Sequence, residues 1–190
     1  MPILITPATG QWHNILFHST IAVRQTVSED TINPDERIRE LGLVLPAPLA
    51  IPPGIDAPLA FIKVVGNRVM VSGHGPQEAD GSIARPLGKV GSDLTVEQGA
   101  EAARKTALSM LGTIQRELGE LDRIKSWVKV LGMVNSAPDF TNQMLVINGF
   151  SNTILEIFGR ERGLATRSAV GMAQLPFGIP VEVEAELELH

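Results

Sequence analysis

The sequence predicts an α+β domain: a largely antiparallel sheet in the order ββαβαββ, with two long helices on one of its faces. Three observations predict it. Val181, Val183, Ala185, Leu187 and Leu189 alternate with Glu182, Glu184, Glu186 and Glu188, a strict period of two that makes a strand with one apolar and one acidic face. Two segments, opening near Thr95 and Ser136, repeat apolar residues at steps of three and four, the spacing of one helix face. Two β-favouring runs also flank Gly66-Asn67, a pair suited to a tight hairpin turn.

Taken in order, residues 1–30 show no clean period, although Ile15-Leu16-Phe17 and Ile21-Ala22-Val23 could be strand fragments. A short helix follows. Asn33 suits its N-cap, Pro34 its first turn, and Asp35 and Glu36 its positive end. Ile38 and Leu41 form its apolar stripe, and Gly42 ends it. Pro46, Pro48, Pro52, Pro53, Gly54 and Pro58 then read as an extended arm or linker. Residues 1–58 are therefore expected to be an N-terminal extension, and 59–190 the compact domain.

Phe61–Val65 and Arg68–Ser72 are the first two strands, followed by a polar loop from Gly73 to about Asp93. Thr95 and Gln98 stand at capping-box spacing and open a helix striped by Val96, Ala100, Ala103, Ala107, Met110, Leu111, Ile114 and Leu118; Gly119 closes it. Ser126–Val134 reads as a strand. Ser136 is expected to cap the second long helix, striped by Phe140, Met144, Ile147, Ile154 and Phe158 and ending at Gly159. Residues 167–174 and 181–189 are the last strands, expected to form a hairpin through Leu175–Pro180. Helices can cover only one face of this sheet. Val170 and Met172 leave the other partly apolar, a candidate surface for oligomerisation.

Composition excludes several classes of function. With 16 basic against 21 acidic residues the net charge is −5, aromatics are 4%, and there is no Tyr, so a nucleic-acid footprint is not expected. The absence of cysteine removes disulfides, thiolate metal sites and a Cys nucleophile. No apolar run approaches the ~20 residues that span a bilayer. Residues 1–25 carry one Arg and no compact apolar core, so they read as neither a secretory signal nor a transit peptide, and the cytoplasm is expected. His13, His18, His74 and His190 show no metal-ligand spacing. Gly73-His74-Gly75 follows a strand, but the next helix starts some twenty residues later, which defeats phosphate binding at its N-terminus. Ser168 has no evident His and acid partners for a hydrolase triad.

Arg167-Ser168-Ala169-Val170, then Leu175-Pro176, then Val181-Glu182-Val183-Glu184 resemble the C-terminal signature of the reactive intermediate deaminase (Rid, YjgF-type) family. Ser72-Gly73-His74-Gly75-Pro76 is similar to that family's Ser-Gly-x-x-Pro loop, and Asn148 falls where the family has an Asn. The resemblance covers residues 59–189 in the same element order; residues 1–33 have no recognised counterpart. It implies a homotrimer of chorismate-mutase-like subunits with ligand sites in the clefts between them. It also implies hydrolysis of reactive 2-imino (enamine) acids to 2-oxo acids and ammonia, with no metal or cofactor.

On that reading Arg167 would hold the substrate carboxylate, since a planar guanidinium makes two parallel hydrogen bonds to it. Glu182 would activate a water and pass its proton to the departing nitrogen. Ser72 and Asn148 would supply neutral hydrogen bonds, and the backbone at Gly73 and Ala169 would approach the ligand closely. A hairpin of the last two strands would set Arg167 and Glu182 six strand positions apart, about 20 Å, so one site using both must draw them from different chains. The sequence departs from the family at Leu59, near the usual place of a Tyr, and at Ala169, where Cys is frequent. The loop 159–163 is also longer. A trimeric binding protein for a small carboxylate, without catalysis, is therefore the alternative reading.

Overall fold

The structure is a computed structural model that describes residues 33–51 and 54–190. The strand fragments expected within residues 1–30 lie outside the described residues. A helix α1 (Pro34–Glu40) precedes the hairpin β1 (Ile62–Val65) and β2 (Arg68–His74). Then come α2 (Val96–Leu118), β3 (Ile124–Asn135), α3 (Gln143–Gly163), β4 (Thr166–Met172) and β5 (Val181–Leu189). The strands form one five-stranded sheet in the order β1-β2-β5-β3-β4.

Local signals explain most of these elements. The Asn33 side chain accepts the Glu36 N–H at 3.0 Å and starts α1. Thr95 and Gln98 satisfy each other's backbone N–H groups in a complete capping box, and Gly119, at φ 90°, ends α2. Gly66, at φ 62°, makes the β1–β2 turn, with Val65 paired to Arg68. Residues 34–50 lie against the domain expected to begin at Leu59. Ile38 is buried in the common core, and the Asp35 carboxylate accepts the N–H groups of Leu121 and Asp122 and the side-chain amide of Gln115.

β5 lies between β2 and β3 and is antiparallel to both. Val181, Val183, Ala185, Leu187 and Leu189 are buried toward α2 and α3, each fully buried Val or Leu side chain contributing about 1.5–3 kcal/mol. Trp127 on β3 meets Phe150 and Phe158 of α3 edge to face, both at 5.8 Å between centroids. Gly149 lets the two long helices touch: a Cβ there would lie 1.9 Å from the carbonyl oxygen of Ala100.

Three expectations are corrected. First, β4 does not form a hairpin with β5. It runs parallel to β3 on the outer edge of the sheet, with Val130 opposite Arg167. The intervening segment passes over the end of β3, where the N–H groups of Ser136 and Asn135 donate to Met172 and Pro180. Lys89 holds this crossing by donating to the Asn135 side chain and the Ala173 carbonyl. Second, α3 begins at Gln143, not after Ser136. The Ser136 hydroxyl donates to the Val134 carbonyl and leaves the chain extended there. Third, Gly159 breaks α3 without ending it (φ 71°, ψ 174°), because Arg162 in the final turn is anchored to Asp122 and the Ile124 carbonyl.

A Gly149→Ala substitution should therefore force α2 and α3 apart and cost about 1–3 kcal/mol, read as a lower urea midpoint with an unchanged slope.

Candidate functional site

The six residues singled out in the sequence separate into two groups. Arg167, on β4, points to the helix-covered face, where its guanidinium donates to Asn148 Oδ1 at 3.0 Å and to Ser151 Oγ at 2.9 Å, both on α3. Ala169 lies two residues further along β4 on the same face and packs against the core. Arg167, Asn148 and Ser151 line a cavity of about 240 Å³ that Trp127 and Val130 also border. The indole Nε1–H of Trp127 is buried without a partner among the described residues.

Glu182, Gly73 and Ser72 make the second group. Val181 and Val183 face the core, so Glu182 faces the uncovered side of the sheet. A bulge in β2 between Val71 and His74 turns Gly73 toward it. The fit is close: a Cβ on Gly73 would sit 2.0 Å from Glu182 Oε1. The Ser72 hydroxyl donates to the Ala60 carbonyl at 2.7 Å, leaving its lone pairs to accept from a ligand.

Arg167 and Glu182 pair with Val130 and Met133 of β3 respectively, on opposite sides of that strand. Their backbones are thus about 14 Å apart by strand spacing and rise, and their side chains leave the sheet on opposite faces. The separation is shorter than the expected hairpin would give, and the strand order replaces the hairpin as its cause. One chain does not bring the two residues onto one small ligand.

Burial shifts both groups. The Arg167 guanidinium is held below its usual pKa by desolvation, yet an arginine remains charged throughout the range where proteins fold. Desolvation, and then the Glu184 charge beside it, push the Glu182 carboxyl above the usual range for a glutamate. No hydrogen bond or ion pair from the described residues reaches that carboxyl, so it is available to water or ligand.

Sequence reasoning missed Ser151, three residues after Asn148, a spacing that sets both on one helix face. It also set His74 aside. Its Nδ1 shares a hydrogen bond with the Ser72 carbonyl at 2.7 Å, so in the neutral ring Nδ1 carries the proton and Nε2 is left buried with no partner.

An open-faced five-stranded sheet backed by two long helices, with polar groups at two separated places, defines a chorismate-mutase-like α+β protein. Residues 36–178 match the family described as "YjgF/chorismate mutase-like, putative endoribonuclease", and the chain belongs to this family. It is 43% identical over 155 residues to Protein TCP17 of Trypanosoma cruzi, covering 80% of this chain and 92% of that one. Among solved structures it is similar to Atu1372 of Agrobacterium tumefaciens, described as of unknown function, with TM-score 0.73 and 39% identity over 83% of this chain and 92% of that one. It is equally similar in shape to a protein of Shewanella oneidensis described as a "putative endoribonuclease", with TM-score 0.73 and 30% identity over 83% and 99% of the two chains. Among the described residues no helix is long and apolar enough to cross a membrane.

Desolvation, against a smaller opposing effect of the Ser72 hydrogen bond, holds His74 below its ordinary pKa of 6.5. Below about pH 6.5 the unfolded chain then binds a proton that the folded chain refuses, so stability is full above that pH and lost as the pH falls. Urea titrations at about pH 7 and pH 5 should show this loss, and His74→Asn should reduce it.

Proposed function

We propose that this chain is a hydrolytic deaminase of 2-imino acids, working as a homotrimer whose sites lie between subunits. The observation that carries the reading is the separation of two complementary half-sites. Arg167, Asn148 and Ser151 make a cationic, preorganised cradle suited to a carboxylate, and Glu182 beside Ser72 and Gly73 offers a desolvated carboxyl with no partner. The half-sites leave one sheet on opposite faces, so a neighbouring copy must supply one of them. The uncovered face, which exposes Met70, Val170 and Met172, is the surface that such an assembly would bury.

The reaction is short. Arg167 holds the carboxylate of the imino acid while water, losing a proton to Glu182, adds to the C=N carbon. Glu182 returns that proton to the nitrogen, giving a carbinolamine; it then takes the hydroxyl proton and passes it to the amine as the C–N bond breaks and the C=O forms, releasing ammonia and a 2-oxo acid. The raised pKa of Glu182 brings its basicity nearer that of the imine nitrogen it serves. The endoribonuclease description of the Shewanella relative has less support here, since the uncovered face carries Glu182, Glu184, Glu186 and Glu188 and the net charge is −5. A carboxylate-binding trimer without catalysis would use the same Arg167 cradle; turnover distinguishes the two.

Imines generated by an amino-acid dehydratase and trapped with semicarbazide should disappear from the trap faster when the protein is present. Arg167→Ala should lower kcat/KM by about 2–5 kcal/mol, roughly thirtyfold or more, and Arg167→Lys should recover little, because an ammonium lacks the two-pronged geometry.

Co-expression of Arg167→Ala with Glu182→Ala tests the shared site. Mixed trimers should regain part of the activity that either variant lacks, because some interfaces combine an intact Arg167 with an intact Glu182. Assembled mixed trimers with no activity would exclude the arrangement.

A further inference from the structure

A cavity of about 440 Å³ opens beside Glu182 and lies under the arm that links α1 to β1. Its wall is mostly apolar: Leu49, Ile51, Ile55 and Leu59 from the arm face Phe177 and Ile179 from the segment before β5. The arm is fixed at its near end. Arg116 donates to the Pro46 carbonyl at 2.8 Å, the Ala47 and Ala50 N–H groups donate to Ala79 and Gly81, and Gly81 admits the Pro48 carbonyl where a Cβ would come within 2.2 Å of its oxygen. The start of the wall, at Pro48 and Leu49, is therefore held in place on the domain.

Apart from Glu117, which is exposed on α2, the polar groups in this wall fall into two kinds. Gln77, Ser109, Thr113 and Arg116 spend their hydrogen bonds on one another and on backbone carbonyls. Glu182, half-buried, and His74 Nε2, fully buried, have no partner among the described residues. Ile51, Ile55, Leu59 and Phe177 are 39%, 46%, 54% and 47% exposed around the opening. An apolar chamber with a few unpaired polar groups on one side is the composition of a small-molecule pocket, and its volume is within the usual range of about 300–1,000 Å³.

We infer that this chamber receives the side chain of the substrate, and that the arm makes the protein selective for 2-imino acids with a bulky apolar side chain, branched aliphatic or aromatic. The inference rests on the deaminase reading for the reaction but on the chamber alone for the preference. Glu182 stands at the junction: with the reacting C=N beside its carboxyl, the substituent on that carbon extends under Ile55 and Leu59. A substrate whose side chain is only a methyl group would leave the chamber filled with water against apolar walls, and would forgo the burial free energy that the larger side chain gains.

The test compares imines made from alanine, leucine and phenylalanine by an amino-acid oxidase, with semicarbazide as the trap. The expected result is a kcat/KM at least tenfold higher for the leucine- and phenylalanine-derived imines than for 2-iminopropanoate. Ile55→Asn and Leu59→Asn, both at exposed positions, should each bring that ratio down toward one; a ratio read within one protein does not depend on how much of it is folded. Calorimetry with phenylpyruvate and pyruvate gives a readout independent of turnover. Tighter binding of phenylpyruvate without imine hydrolysis overturns the deaminase reading and keeps the chamber; no preference in rate or affinity overturns the chamber.

Discussion

Because β5 is hydrogen-bonded on both sides, to β2 and to β3, its side-chain alternation decides the two faces of the whole sheet. A strand at that position has no freedom to slip, since a shift by one residue would drive four glutamates into the core and five apolar side chains out of it. The core of α2 and α3 is built against that apolar row, and the acidic row is what the other face must accommodate. Arg68 and Lys125 do so by pairing with Glu186 and Glu188. Glu182, next to the bulge, has no such cation.

Among the described residues Glu184 also lacks a paired cation, so what sets Glu182 apart from its three neighbours on the strand is the bulge beside it. The bulge at Ser72 and Gly73 brings backbone close over it, water is partly removed, and Glu184 adds a like charge from two residues away. The first two effects come from β2 and β5 meeting out of simple register, and the third from the alternation of β5 itself. On the far side of β3, the parallel edge strand β4 delivers Arg167 to the opposite face, where α3 meets it with an amide and a hydroxyl. A single subunit thus keeps this cation and this carboxyl on different faces, and on the proposed deaminase reading a neighbouring copy unites them.

The arm adds something the sheet does not supply. Past the end of β1 the pairing continues only to Ser72, whose N–H donates to the Phe61 carbonyl, and β2 runs on to His74. Among the described residues of the arm, Pro48, Leu49, Ile51, Ile55 and Leu59 line the cavity beside it with apolar surface. Burial also holds His74 below its ordinary pKa beside Phe61, whose ring lies 5.3 Å away.

The sequence by itself determined the elements governed by local rules. The capping box at Thr95, the turn at Gly66-Asn67, the cap at Asn33 and the period-two strand at Val181–Leu189 each depend on residues within one or two turns of each other, and all are where those rules place them. Arg167 and Asn148 were legible from the motif, and they meet. Tertiary structure alone decided that β4 crosses to the outer edge of β3, that Gly159 interrupts α3 without ending it, and that a proline-rich arm walls a cavity. Each of these turns on partners far away in the chain: Lys89 at the crossing, Asp122 and Ile124 holding Arg162, Arg116 holding Pro46. Periodicity and turn chemistry describe what a segment prefers on its own. Which strand lies beside which is settled by long-range contacts that local spacing does not encode.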